Sequence, residues 1–171
     1  MHFSLLPTRM ADSVTDLSPQ LLRQMGVKLL MLDFDNTIVP YTTNCPTNQM
    51  TAWLERMVAS DIAVCVVSNS HKDRVRVFCE TYGLDCITHA KKPFGKGIRE
   101  CLAKYSLPAD CCALAGDQIY TDVLGANCAG IQSILVKAIC NHNFWLKARH
   151  VLEIPCILIA EKRRISYERS R

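Results

Sequence analysis

Neither a GxGxxG fingerprint nor a GxxxxGK[ST] spacing occurs in this sequence, so dinucleotide-cofactor and NTPase readings have no local support. No low-complexity tract or repeat period interrupts the chain. Met1 to Met10 contains polar residues, Pro7 and Arg9 in place of a sustained apolar core, so no secretory signal is read there. The apolar run Ile157-Leu158-Ile159-Ala160 is too short to span a bilayer. The net charge of +4 is modest, with acids and bases intermingled, which does not indicate nucleic-acid binding. His2, His71, His89, His142 and His150 form no recognisable metal pair, and the ten cysteines contain no CxxC spacing. Without a secretory signal, reduced thiols are expected, with Cys65, Cys86, Cys111 and Cys112 as small apolar residues of candidate strands.

What is present is ordinary globular composition, 49% apolar and 21% charged over 171 residues. A chain near 150 residues buries roughly 70% of its unfolded surface, enough for an independent core. One domain spanning 1–171 is expected, with a core of about 14–151 and an apolar-basic tail at 152–171.

Strand and helix signals alternate. Val27–Leu32, Ile62–Val67, Ile87–Ala90, Ala113–Gly116 and Ile131–Val136 read as five strands. Helices are predicted over Gln20–Met25 (Ser18 as cap, Pro19 in the first turn), Gln49–Ala59, His71–Tyr82 (capped by Ser70), Lys96–Tyr105 and Thr121–Ala129. Trp53 falls on the apolar face of its helix and reads as core. This βα alternation implies an α/β three-layer α/β/α sandwich with a mainly parallel sheet and right-handed crossovers.

The apolar run ending at Leu32 delivers Asp33 and Asp35, followed by Thr37, to the sheet edge where α/β proteins gather ligands. Crowded carboxylates repel unless a cation or proton intervenes, and a divalent metal is the simplest partner. One such acid can attack phosphorus while the other serves the leaving oxygen. The plain alternative is an Asx turn at a loop start. The other strands also end in site chemistry: Ser68-Asn69-Ser70, then Lys91-Lys92-Pro93, then Gly116-Asp117 with Asp122.

This order, DxDxT, then Ser, then Lys-Pro, then GDxxxxD, resembles the motif series of the haloacid dehalogenase (HAD) superfamily, in particular the phosphatases of subfamily IIIA. Leu-Asp-Phe-Asp-Asn-Thr, Val-Ser-Asn-Ser, Ala-Lys-Lys-Pro and Gly-Asp-Gln-Ile-Tyr-Thr-Asp-Val-Leu are similar to the YqeG-type group, over about Leu6 to Val136. The resemblance implies a HAD-like Rossmannoid sheet and a phosphomonoester hydrolase working through an aspartyl-phosphate. It implies Asp33 as nucleophile, Asp35 as general acid/base and Lys92, rather than Lys91, as the cation for phosphate and transition-state charge. Ser68 is implied as a phosphate donor, with Thr37 in support and Asn69 as a further phosphate neighbour. Asp33, Asp117 and the backbone oxygen of Asp35 would hold Mg²⁺, with Asp122 a ligand or its outer support.

Relatives in that group include phosphatases of phosphatidylglycerophosphate, so a membrane lipid is one implied substrate. The spacing between motifs leaves no room for a substantial cap domain, which suits a phosphate projecting from a larger body. The tail Glu161–Arg171, following the apolar run, reads either as a peripheral membrane contact or as a solvated terminus. His71, Lys72, Arg74 and Arg76 read either as contacts to an anionic headgroup or as an exposed helix face. The expected location is cytoplasmic, peripheral at the inner face of the membrane if the tail binds there. The alternatives are a phospho-accepting regulatory module without turnover, and a phosphatase of a soluble metabolite or phosphoprotein.

Overall fold

The computed structural model describes residues 3–71, 73–140, 155 and 157–161. Its centre is β2 (Leu29–Leu32), four apolar residues buried on both faces. It pairs in parallel with β3 (Ala63–Val67) on one side and β5 (Cys112–Gly116) on the other. Alternation along β2 divides its side chains between two layers. Leu30 and Leu32 join a cluster with Leu22 of α1 (Pro19–Gln24), Trp53, Leu54 and Met57 of α2 (Asn48–Val58), and Val75 and Phe78 of α3 (Asp73–Tyr82). Leu29 and Met31 face Ile98 and Cys101 of α4 (Lys96–Tyr105) and Ala126 of α5 (Leu124–Ala129). Three helices therefore cover one face and two the other, the expected three-layer sandwich. Trp53 is wholly buried, and its indole N–H donates to the Leu17 carbonyl at 2.8 Å, which satisfies its polar edge.

The sheet runs β1-β6-β5-β2-β3-β4 with every pairing parallel, where β1 is Arg9–Ala11, β4 is Asp85–Ile87 and β6 is Gln132–Val136. From β2 the chain builds outward through β3 and β4, then returns to the far side of β2 for β5 and β6. The order reverses between β2 and β5, and the crevice beyond their carboxyl ends is the natural ligand position of such a sheet.

Several boundaries differ from the sequence reading. β1 lies ahead of the expected core and has only three residues, too few for a periodic signal. β4 begins at Asp85 and ends at Ile87, because His89 (φ 55°) and Lys91 (φ 53°) take left-handed conformations that no strand accommodates. α3 starts at Asp73, leaving His71 outside it. The helix expected from Thr121 begins as a wider π-type turn at Ile119–Val123, which runs directly into α5.

Residues 38–62 hold one loop and α2, and residues 94–111 hold α4 and a short turn, so no cap is inserted at either place. Nine described cysteines are free thiols. Among the described residues, no helix is long and apolar enough to cross a membrane. Of the tail, residues 157–161 are helical: Ile157 packs beside Ile119, Val123 and Leu135 and Ala160 is buried, while Leu158 and Ile159 are half exposed. The basic residues 162–171 lie outside the described residues.

Candidate active site

The carboxyl end of β2 is held until the first acid: the Asp33 N–H donates to the Ala115 carbonyl at 2.9 Å, continuing the β2–β5 ladder. The next residue, Phe34, is fully buried and meets Phe78 edge-on, with ring centroids 5.2 Å apart. The chain then folds into a tight turn. Asn36 takes φ 61°, its N–H donates to the Val39 carbonyl at 2.7 Å, and the Ile38 N–H donates to the Phe34 carbonyl at 3.0 Å. The two acids thus flank a buried aromatic anchor at the start of a rigid turn, which is more than an Asx turn supplies. Asn36 itself is committed to the scaffold, donating from Nδ2 to the Cys140 carbonyl at 2.8 Å.

Of the two neighbouring lysines, Lys91 is exposed and Lys92 is buried. Lys92 Nζ donates to Asp33 Oδ1 at 2.6 Å and to Asp122 Oδ1 at 2.7 Å. Burial pushes the Asp33 carboxyl up to about 7; Lys92 opposes that rise, while the charges of Asp122 and Asp35 reinforce it. Burial also works against the charge on Lys92, but Asp122 and Asp33 outweigh it and hold the ammonium above its ordinary value. One cation shared by two carboxylates leaves the cluster with excess negative charge.

Asp117 follows β5 directly, and one oxygen each from Asp33, Asp117 and Asp122 lie within 4.8 Å of one another. An all-oxygen, negatively charged donor set suits a hard divalent cation, so these residues fit the metal that the resemblance implies. Asp122 reaches the group from the π-type turn, its Oδ2 accepting from the Gln118 N–H at 3.2 Å. Its place requires a neighbour without a side chain: a Cβ on Gly116 would lie 2.3 Å from Asp122 Oδ2.

Ser68, at the end of β3, is buried; its hydroxyl accepts from the Ser70 N–H at 3.0 Å and keeps its own hydrogen to donate. Thr37 is buried, and among the described residues its Oγ1 has no hydrogen-bond partner. Asn69, expected beside the phosphate, grips the Lys92 backbone from both sides, with Oδ1 accepting from its N–H at 2.7 Å and Nδ2 donating to its carbonyl at 3.0 Å. That clamp connects the Ser68 loop to the Lys92 loop.

Sequence reasoning left Arg74 open between a headgroup contact and an exposed helix face. Instead of standing on an exposed helix face, its side chain is 12% exposed and ion-paired with Asp35. Nothing in the local pattern distinguishes it from Arg76, which is 59% exposed, because the contact depends on how α3 meets the turn after β2. His71 and His89 stack edge-to-face, centroids 4.0 Å apart, on the rim formed by the Ser68 and Lys92 loops.

A six-stranded parallel sheet with acids and a lysine converging at its switch point defines a HAD-like hydrolase core, and the HAD-hydrolase-like family pattern matches residues 89–138. The Bacillus subtilis (strain 168) protein named "Probable phosphatase YqeG" is 35% identical over 131 residues, covering 77% of this chain and 76% of that protein. The chain belongs to the HAD superfamily, among its YqeG-type phosphatases. Solved structures agree on the fold. The 3-deoxy-D-manno-octulosonate 8-phosphate phosphatase from Yersinia pestis has a TM-score of 0.54 at 17% identity, over 77% of this chain and 75% of that one. The cobalt-bound form of the deoxy-D-mannose-octulosonate 8-phosphate phosphatase from Haemophilus influenzae has a TM-score of 0.53 at 13% identity, over 66% of this chain and 69% of that one. The enzyme is a HAD-type phosphatase, and phosphatases of this superfamily generally use a divalent metal.

Proposed function

We propose that this phosphatase hydrolyses a phosphomonoester through an aspartyl-phosphate on Asp33, with Mg²⁺ as its metal. The observation that carries the reading is the convergence of Asp33 and Asp122, both buried and ion-paired with Lys92, with half-buried Asp117 beside them. Asp33, Asp117 and the main-chain oxygen of Asp35 would hold the Mg²⁺, with Asp122 as a further ligand or an outer support. When bound, the ion neutralises phosphate charge and orients the phosphoryl group.

An oxygen of Asp33 forms a bond to phosphorus as the ester P–O bond breaks, its electron pair leaving with the substrate oxygen. Asp35 gives that oxygen a proton. Asp35 then takes a proton from water, whose oxygen attacks phosphorus. The Asp33–phosphorus bond breaks, inorganic phosphate departs and the Asp33 carboxylate is restored. Lys92 offsets charge on the transferring group, Ser68 donates a hydrogen bond to it, and Thr37 has its unpartnered hydroxyl available in support. Asn69 sets the position of Lys92.

For substrate, a lipid phosphomonoester, phosphatidylglycerophosphate foremost, is favoured by the YqeG-type resemblance and by the absence of a cap. Phe94, 81% exposed two residues after Lys92, and half-exposed Tyr41 give the rim apolar surface suited to a bilayer-borne substrate. The corresponding location is the cytoplasmic face of a membrane, reached peripherally.

Phosphate release from an aryl phosphate tests the chemistry. We expect Asp33→Asn to be inactive with an unchanged thermal melt, and chelation to stop the wild type until Mg²⁺ is restored. Full activity of Asp33→Asn, or full activity without metal, rejects the mechanism. A screen of lipid, sugar, nucleotide and phosphopeptide monoesters tests the substrate, and preference for a soluble sugar phosphate or nucleotide defeats the lipid assignment alone.

A further inference from the structure

Arg74, in the first turn of α3, bridges three parts of the site. Its Nη2 donates to Asp35 Oδ1. Its Nη1 lies within hydrogen-bond reach of the Tyr41 carbonyl (3.2 Å), the Thr43 carbonyl (3.3 Å) and Asn44 Oδ1 (3.4 Å). Its Cζ sits 5.1 Å from the centre of the Phe34 ring, between the two acids, and that ring is wedged against Phe78 of the same helix. A rigid planar fork with five donors can satisfy a carboxylate, several loop oxygens and an aromatic face together; a point-charge ammonium cannot.

The contacts bear on how Asp35 is aimed. A free aspartate side chain samples several rotamers, and an acid that must meet a departing oxygen works only in those that point at it. Held at Oδ1, Asp35 keeps Oδ2 outside this ion pair to carry or accept the proton. The Tyr41–Asn44 stretch, bound by the same guanidinium, is the loop that leads from the acid-bearing turn to α2.

We propose that Arg74 is a positioning residue, one that fixes the Asp35 carboxylate and the Tyr41–Asn44 loop in a single relation so that Asp35 Oδ2 meets the leaving-group oxygen. The inference rests on the phosphatase reading above. Arg74 exchanges no proton and forms no covalent bond: the ester P–O bond breaks with its electron pair going to the substrate oxygen, and Oδ2 supplies the proton that completes the alcohol. Arg74 donates to Oδ1 throughout.

Aim matters most where the leaving oxygen most needs a proton. The test compares kcat/KM for glycerol phosphate, a poor leaving group, with that for p-nitrophenyl phosphate, a good one, in the full chain with Mg²⁺. We expect Arg74→Ala to lose about 10²-fold on the alkyl ester and only a few-fold on the aryl ester. In a double-mutant cycle, Arg74→Ala should add almost nothing to Asp35→Asn on the alkyl ester, because both act through one carboxylate. Equal losses on the two esters, additive losses in the cycle, or a raised KM with unchanged kcat would each overturn the proposal, the last by making Arg74 a substrate contact.

If Arg74→Ala fails to fold by thermal melt, Arg74→Lys carries the test. It keeps the charge without the fork, and an unchanged alkyl-to-aryl ratio overturns positioning. A wild type that turns over neither ester defeats the phosphatase reading itself, whereas an active wild type with a flat ratio in the variants defeats only the role of Arg74.

Discussion

Two aspartate–lysine pairs of equal length sit at opposite ends of the parallel sheet. Asp33 and Lys92 meet at 2.6 Å beyond the carboxyl end of β2, with side chains 10% and 1% exposed. Asp85 and Lys104 also meet at 2.6 Å, at the start of β4, with side chains 43% and 48% exposed. Burial raises Asp33, with Lys92 only partly offsetting it, whereas hydrogen bonds from Lys104 and Tyr105 hold Asp85 below its ordinary value. Distance does not distinguish the two sites. Solvent does: at the exposed pair each ion keeps much of its hydration and the partner's attraction prevails, while inside the crevice desolvation dominates. A site meant to bind a doubly charged phosphate and a cation gains from that poorly solvated field.

The comparison breaks most severely at Lys92. We expect Lys92→Ala, in metal-free buffer near neutral pH, to lose about 3–5 kcal/mol by urea denaturation, because two buried carboxylates lose their cation. Phosphate release should fall with it. Lys91→Ala should stay within about 0.5 kcal/mol, as an exposed side chain outside the cluster. Equal effects of the two substitutions would mean that burial does not set the strength of the pair.

A smaller effect is expected at Gly116. The added methyl of Gly116→Ala must move the Asp122 carboxylate, an overpacking cost of about 1–3 kcal/mol, and should raise the metal concentration for half-maximal activity. An unchanged metal requirement would remove Asp122 from any part in holding the ion.

The smallest effect belongs to the exposed pair, where Asp85→Asn should cost no more than about 1 kcal/mol at pH 7 and leave turnover unchanged. Its signature is the pH profile. The folded carboxyl lies below 3.8, so the unfolded chain binds more protons there; the stability contributed by Asp85 is complete above that value and lost as pH falls through the folded one. Thermal melts at pH 5 and pH 3 should therefore show a smaller acid drop for Asp85→Asn than for wild type. An identical drop would dissolve the contrast between the two ends.

Much of the acid–lysine cluster was legible because strand ends deliver its members, so position along the chain approximates position in the crevice. Asp33, Ser68 and Asp117 obey that rule, each being the residue after its strand, whereas Lys92 and Asp122 lie five and six residues beyond theirs. Other features depend on what approaches from elsewhere. The function of Asn69 comes from a loop 23 residues away, and the need for Gly116 comes from a carboxylate on the following turn. Arg74 has the sequence neighbourhood of any solvated helix residue and becomes a clamp only once α3 has docked over Phe34. β1 escaped notice for a related reason: three residues, Arg9, Met10 and Ala11, acquire their extended form from the partner they meet.

That partner is the last strand. Among the described residues β1 is bonded only to β6, with Arg9, Met10 and Ala11 opposite Ile134, Leu135 and Val136. During synthesis at roughly 5–20 residues per second, the head of the chain therefore waits for nearly the whole domain to emerge before its backbone finds a ladder. The strands that deliver Asp33 and Asp117 are neighbours in space yet separated by two intervening strands in time. A ribosome-bound fragment ending before Asp117 holds Asp33 without its two acidic neighbours, and only the late arrival of β5 and the turn that follows it brings Asp33, Asp117 and Asp122 together.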